Sequence, residues 1–167
     1  MAYLLDANVF IEAKNLHYGL DFCPAFWDWL LRENKMSNVY SIEKGSDELA
    51  AIADELSRWA KPRGPGFFLK PDGQVMRALG QVSNWAMNEP RYDQAAKNTF
   101  LQLADYYLVG HALAHSHVVV THEIPSPSTK RIKIPDACVG VGVKVMTPWA
   151  MLRLERARFV LGARLPK

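Results

Sequence analysis

Cysteine is scarce in this chain of 167 residues. Only Cys23 and Cys138 carry thiols, far apart and outside any C-x-x-C spacing. That excludes a disulfide framework or a zinc-ligand pattern built on cysteine, and both thiols are expected to be reduced and buried. Long apolar runs are missing too, none approaching the roughly 20 residues that a bilayer-spanning helix needs. The chain opens Met1-Ala2-Tyr3-Leu4-Leu5-Asp6 with no basic segment ahead of its short apolar run, so no signal peptide is expected and the protein should be cytoplasmic. Charge of one sign is also lacking. Twenty Lys and Arg against 17 Asp and Glu leave +3, which neither demands nor excludes a polyanionic partner. Internal repeats and a linker-like stretch are absent, which argues against an array or a second domain.

What is present suits one globular domain over residues 1–167. The chain is 49% hydrophobic, enough for a sizeable core, and its 22% charged residues argue against disorder. Tyr3-Leu4-Leu5 reads as a buried strand, apolar at every position and too short for a helix. Val9 to Lys14 could start a helix, and Ala25 to Arg32 carries an apolar stripe of Phe26, Trp27, Trp29, Leu30 and Leu31. Asn38-Val39-Tyr40 suggests a second strand. From Ser41, a plausible cap, a helical period runs through Leu49, Ile52, Ala53, Leu56 and Trp59 to Ala60. Lys61 to Gly66 reads as a turn and Phe67-Phe68-Leu69 as a short strand. Gln74 to Met87 and Ala95 to Ala114 read as helices. His117 to Thr121 is the clearest strand, β-branched and apolar. A polar loop spans Ile124 to Lys133, a last strand Gly142 to Met146, and Pro148 opens a closing helix. Alternating strands and helices imply an α/β fold with a mainly parallel sheet, whose sites lie beyond the carboxyl ends of the strands.

Two strands run directly into acids at those ends. Tyr3-Leu4-Leu5 runs into Asp6, and Val118-Val119-Val120 into Thr121-His122-Glu123. Asp105 lies near the start of a helix whose apolar face carries Ala104, Leu108 and Ala112. Glu48 sits one or two turns into the helix from Ser41. Carboxylates gathered from four elements repel one another and lose hydration, a combination that a cation between them relieves. Mg²⁺ and Mn²⁺ prefer such oxygen donors and can activate water for phosphodiester hydrolysis.

The same residues carry a family resemblance. Leu4-Leu5-Asp6-Ala7-Asn8-Val9-Phe10-Ile11 resembles the opening of a PIN domain, and Ala104-Asp105 followed by Leu108-Val109 and Ala112 resembles its third acid on a helix. Val118 to Glu123 resembles the terminal strand with Thr-x-acid. Ser41 to Leu49 sits where the family places its second acid, commonly in a Glu-Leu pair. Thr121-His122-Glu123 followed by Ile134-Pro135-Asp136-Ala137-Cys138 is similar to a PIN-like subfamily whose relatives include VapC-type toxin ribonucleases. The pattern runs through nearly the whole chain in order. The resemblance implies a three-layer α/β/α domain and an Mg²⁺- or Mn²⁺-dependent endoribonuclease, with Asp6, Glu48, Asp105 and Glu123 as catalytic metal ligands. It also implies RNA as substrate and an antitoxin protein as partner, with a homodimer admitted. Glu123 stands where Asp is usual, and its extra methylene implies contact through water. Glu43, Asp47 and Glu48 compete for the second acid. Glu48 is chosen because it precedes Leu49. Asn8 and Thr121 are expected to hydrogen-bond behind the ligands, and Lys130, Arg131 and Lys133 to meet RNA phosphates.

Each of these residues has a plainer role to set beside that one. A strand-end Asp is often a turn former, a first-turn Asp answers the helix dipole, and surface helices are rich in Glu. The ordered set of four is what favours chemistry. His111 and His115 are four apart, but Ala112 stands where a zinc hydrolase needs Glu, so exposed histidines at a helix end are expected. The five tryptophans mostly fit apolar stripes and should pack in the core, with base stacking a lesser alternative. Arg153, Arg156 and Arg158 mark the last helix and read as a solvated face. Two other functions compete. A haloacid-dehalogenase-like phosphatase would need a second Asp where Asn8 stands. A catalytically inactive PIN-fold interaction module would make no use of Asp6, Asp105 and Glu123.

Overall fold

Strand β1 (Tyr3–Leu5) lies at the centre of a five-stranded sheet of order β3-β2-β1-β4-β5, with every pairing parallel. Its partners are β2 (Val39–Ile42) and β4 (Val118–Val120); the outer strands are β3 (Phe68–Leu69) and β5 (Val145–Met146). This computed structural model describes residues 1–164 and Pro166. The pleat sends alternate side chains to opposite faces. Leu5 and Val120 enter one core cluster with Phe10, Phe26, Trp27, Leu30 and Phe67; Leu4 and Val119 enter another with Val82, Phe100, Leu108 and Cys138. With both faces covered, β1 and β4 are apolar throughout, as a buried parallel sheet requires. The result is a three-layer α/β/α fold.

On the first face pack α1 (Ala7–Glu12), α2 (Pro24–Lys35), α3 (Glu43–Ile52), α4 (Glu55–Ala60) and α9 (Pro148–Leu154). On the second pack α5 (Gly73–Asn88), α6 (Gln94–Phe100), α7 (Ala104–His115) and α8 (Ile134–Val141). Helix α7 comes close to α5 because Gly110 has no side chain, and a Cβ there would stand 2.5 Å from Leu79 Cδ2. No helix of the described residues is long and apolar enough to cross a membrane.

Several expectations are corrected. Ser41 is not a helix cap. It is buried in β2, where its hydroxyl donates to the Leu5 carbonyl at 2.7 Å and ties β2 to β1. The helical period from Ser41 to Ala60 is broken at Ala53, which takes a left-handed conformation (φ 53°). Asp54 then caps α4 by accepting from the Leu56 and Ser57 amides. α1 starts two residues earlier than read and runs on into a π-helical turn over Ala13–His17. α8 has no counterpart in the sequence reading, although Pro135 in its first turn is a recognised start signal. Arg156 and Arg158 lie past the end of α9 rather than on it. Both cysteines are free, but only Cys138 is buried as expected, its thiol pushed up to about 12 by burial, whereas Cys23 is partly exposed.

Candidate metal centre

The chain lays down β1, β2 and β3 in one direction, then places β4 on the other side of β1. This reversal opens a crevice at the carboxyl ends of β1 and β4, where parallel α/β sheets bind ligands. Asp6 directly follows β1, and Thr121 directly follows β4. The register Leu5↔Val120 brings them level. The Asp6 amide donates to the Val120 carbonyl at 3.0 Å, and Thr121 Oγ1 donates to Asp6 Oδ2 at 3.0 Å. Thr121 Oγ1 also accepts from the Glu123 amide at 3.1 Å, so one hydroxyl links two of the acids.

Asp6 is 6% exposed and has no cationic partner among the described residues, although it precedes the first turn of α1 without capping it. Burial is the largest cause raising its pKa to about 7. Asp105 adds to this, Glu123 and Glu48 add less, and the Thr121 hydrogen bond opposes them. Asp105, in the first turn of α7, is raised to about 6 by burial and by Glu123, against Arg131 and Lys133. Glu48 is exposed to solvent as a residue, yet partial desolvation of its carboxyl and, secondarily, the Asp105 charge raise its pKa as well. α3 approaches closely because Gly45, one turn before Glu48, sits over Ser41 and Ala7. Asp6, Ala7, Ser41, Gly45, Ala104 and Leu108 line a void of about 10 Å³ beside the acids, close to the smallest space that holds one water.

The four acids therefore share one electrostatic neighbourhood, but their oxygens are not drawn into a tight cage. No three of them bring carboxylate oxygens within 4.8 Å of one another; among the described residues, the group meeting that spacing is Glu12, His17 and His122. Glu123 is held back by its own partners. Its Oε1 accepts from Arg131 at 2.8 Å with Lys133 Nζ at 3.8 Å, and its Oε2 accepts from the Ile134 amide at the start of α8 at 2.8 Å. Any divalent ion held by this donor set would need water to complete its shell, as Mg²⁺ usually retains several waters.

The remaining candidates divide. Among the contenders for the second acid, Glu48 raises the pKa of Asp6, whereas Glu43 faces Lys70 at 3.7 Å on the surface. Asn8 is exposed, and among the described residues no hydrogen bond joins its amide to the acids, so the expected support comes from Thr121 alone. Arg131 and Lys133 flank the centre through Glu123. Lys130 instead pairs with Asp93 at 2.8 Å, at the cap of α6.

The histidines depart from the expectation of exposed residues. His111 is 2% exposed, with burial lowering its pKa to about 4, and His115 meets Asp72 at 2.9 Å. His122 points away from the acids and reaches Glu12 at 3.4 Å. Trp27 and Trp29 are buried as expected; Trp149 stands against His17 and His122. Sequence reading passed over Glu12 and His17, which lie five residues apart, a spacing that brings side chains together only in a π turn.

No curated protein and no solved structure matches the chain. A family model described as Domain of unknown function (DUF4411) matches residues 3–159, a span that holds all four acids, and the chain belongs to that family.

Proposed function

We propose that this protein is a metal-dependent ribonuclease of PIN-like type, acting as the toxin of a toxin–antitoxin pair. One observation carries the reading. Asp6 is buried at the switch point of the sheet, without a cation among the described residues, and is opposed by carboxylates from three other elements. A purely structural core gains nothing from that repulsion, whereas a cation site requires it. Asp6, Glu48 and Asp105 would hold Mg²⁺ or Mn²⁺, with Glu123 acting through water, and the ion would supply Lewis acidity and a more acidic bound water. Thr121 fixes the Asp6 carboxylate, and Arg131 with Lys133 supplies positive charge where an RNA phosphate would lie. The test is cleavage of single-stranded RNA by the purified chain with Mn²⁺. Activity should be abolished by EDTA and by Asp6→Asn. Undiminished, EDTA-sensitive cleavage by Asp6→Asn protein would sink the assignment.

The wide carboxylate spacing favours a second reading, an interaction module that does not cleave. It predicts no Mn²⁺-dependent activity in the wild-type protein.

The cations at Glu123 test the substrate class. If Arg131 and Lys133 meet phosphates, changing both to Ala in the Asp6→Asn background should reduce the log–log salt slope of RNA binding by about 1.4, or about 0.7 per contact. Changing Lys130, held by Asp93, should have a smaller effect. Fluorescence anisotropy at several salt concentrations measures the slope. An unchanged slope would mean that RNA runs elsewhere, past Arg153 and Arg156.

A further inference from the structure

A second cluster lies beside the acids, outside the proposed centre and independent of the ribonuclease reading. Beyond β4, successive residues alternate in direction. Thr121 faces Asp6, while His122 turns away and places its Nε2 3.4 Å from Glu12 Oε2. Glu12 ends α1, and His17 closes the π turn that follows. There the Tyr18 amide bonds the Ala13 carbonyl, five residues back. In such a turn residues five apart become neighbours, so Glu12 and His17 face the same side; π turns of this kind recur at functional sites. One ligand atom from each of Glu12, His17 and His122 lies within 4.8 Å of the others, and none of the three is buried. Trp149 of α9 stands edge-on to both rings, 4.7 Å from His17 and 5.4 Å from His122.

We propose that Glu12, His17 and His122 form a site for a late first-row divalent ion such as Zn²⁺. Two imidazoles and one carboxylate are a donor set that suits zinc better than magnesium, which takes oxygen ligands. Tetrahedral geometry with metal–ligand bonds near 2.05 Å sets neighbouring donors about 3.3 Å apart. The 3.4 Å separation of His122 and Glu12 already matches that edge, so a small rotation of His17 completes a three-ligand site. A fourth position is left for water, as in zinc sites with three protein ligands.

The experiment is a Zn²⁺ titration of the full chain after chelator treatment, by calorimetry and by ¹⁵N detection of histidine rings. Asp6→Asn protein is carried in parallel to separate the site from the acidic centre. At least one equivalent of Zn²⁺ should bind both wild type and Asp6→Asn, and in each it should shift the ring nitrogens of His17 and His122. Affinity should fall at least tenfold in His122→Ala, with His115→Ala unaffected. Absence of those ring shifts in wild type, or equal affinity in His122→Ala, would overturn the site. So would loss of binding in Asp6→Asn, because the ion would then belong to the acidic centre. The ring shifts are read on unmutated protein and do not depend on whether a variant folds.

Discussion

Asp6→Asn should make the metal-free protein more stable, raising its melting temperature at pH 8 by roughly 5 °C or more. In the folded chain the Asp6 pKa is raised to about 7, whereas in the unfolded chain it lies near the ordinary 3.8. The folded state therefore binds the extra proton between these values, and stability falls as pH rises through that window. Fully ionising Asp6 in place costs about 4 kcal/mol, at ~1.36 kcal/mol for each pKa unit. A few kcal/mol shift the melting temperature of a chain this size by several degrees. Asparagine removes the charge and keeps an oxygen to accept from Thr121. Asp105, raised to about 6, adds a similar but smaller pH dependence that remains in the variant. Thermal melts in EDTA from pH 5 to pH 8 check this: the wild-type protein should lose stability across the range and Asp6→Asn should lose less. A lower melting temperature for Asp6→Asn at pH 8 would show that its charge is compensated inside the fold.

The second large effect concerns the second acid. Glu48→Gln should cut Mn²⁺-dependent RNA cleavage at least tenfold, the range that lost metal-site partners cost, while Glu43→Gln and Asp47→Asn leave it within a few-fold of wild type. The three lie on one helix, but at 3.6 residues per turn Glu43 and Glu48 point in different directions. Glu48 acts on Asp6 and is itself perturbed by Asp105; Glu43 faces Lys70 at the surface. Single-turnover cleavage assays separate them. A loss confined to Glu43→Gln would move the second acid to the start of α3.

The sheet was legible because its central strands are short, fully apolar runs, and the acids at their ends announced the crevice. The failures have physical causes. Ala53 breaks the long helix without the glycine that usually marks a left-handed residue, and α8 begins inside a stretch of Ile, Pro and Asp that reads locally as loop. Ser41 looks like a cap by composition, but a buried strand takes its hydroxyl for β1. The partners of Glu123 come from beyond the polar loop, and the Glu12–His17–His122 group joins a π turn to a strand end about 105 residues away in sequence. No local pattern encodes contacts of that kind.

If Asp6 anchors a divalent metal centre, removing its carboxylate must weaken metal binding. Mn²⁺ binding followed by electron paramagnetic resonance tests it most directly, using protein with His17→Ala and His122→Ala so that the neighbouring group cannot contribute. At least one Mn²⁺ per chain should bind, with a binding constant reduced at least tenfold by adding Asp6→Asn. Equal Mn²⁺ binding with and without the Asp6 carboxylate would contradict it.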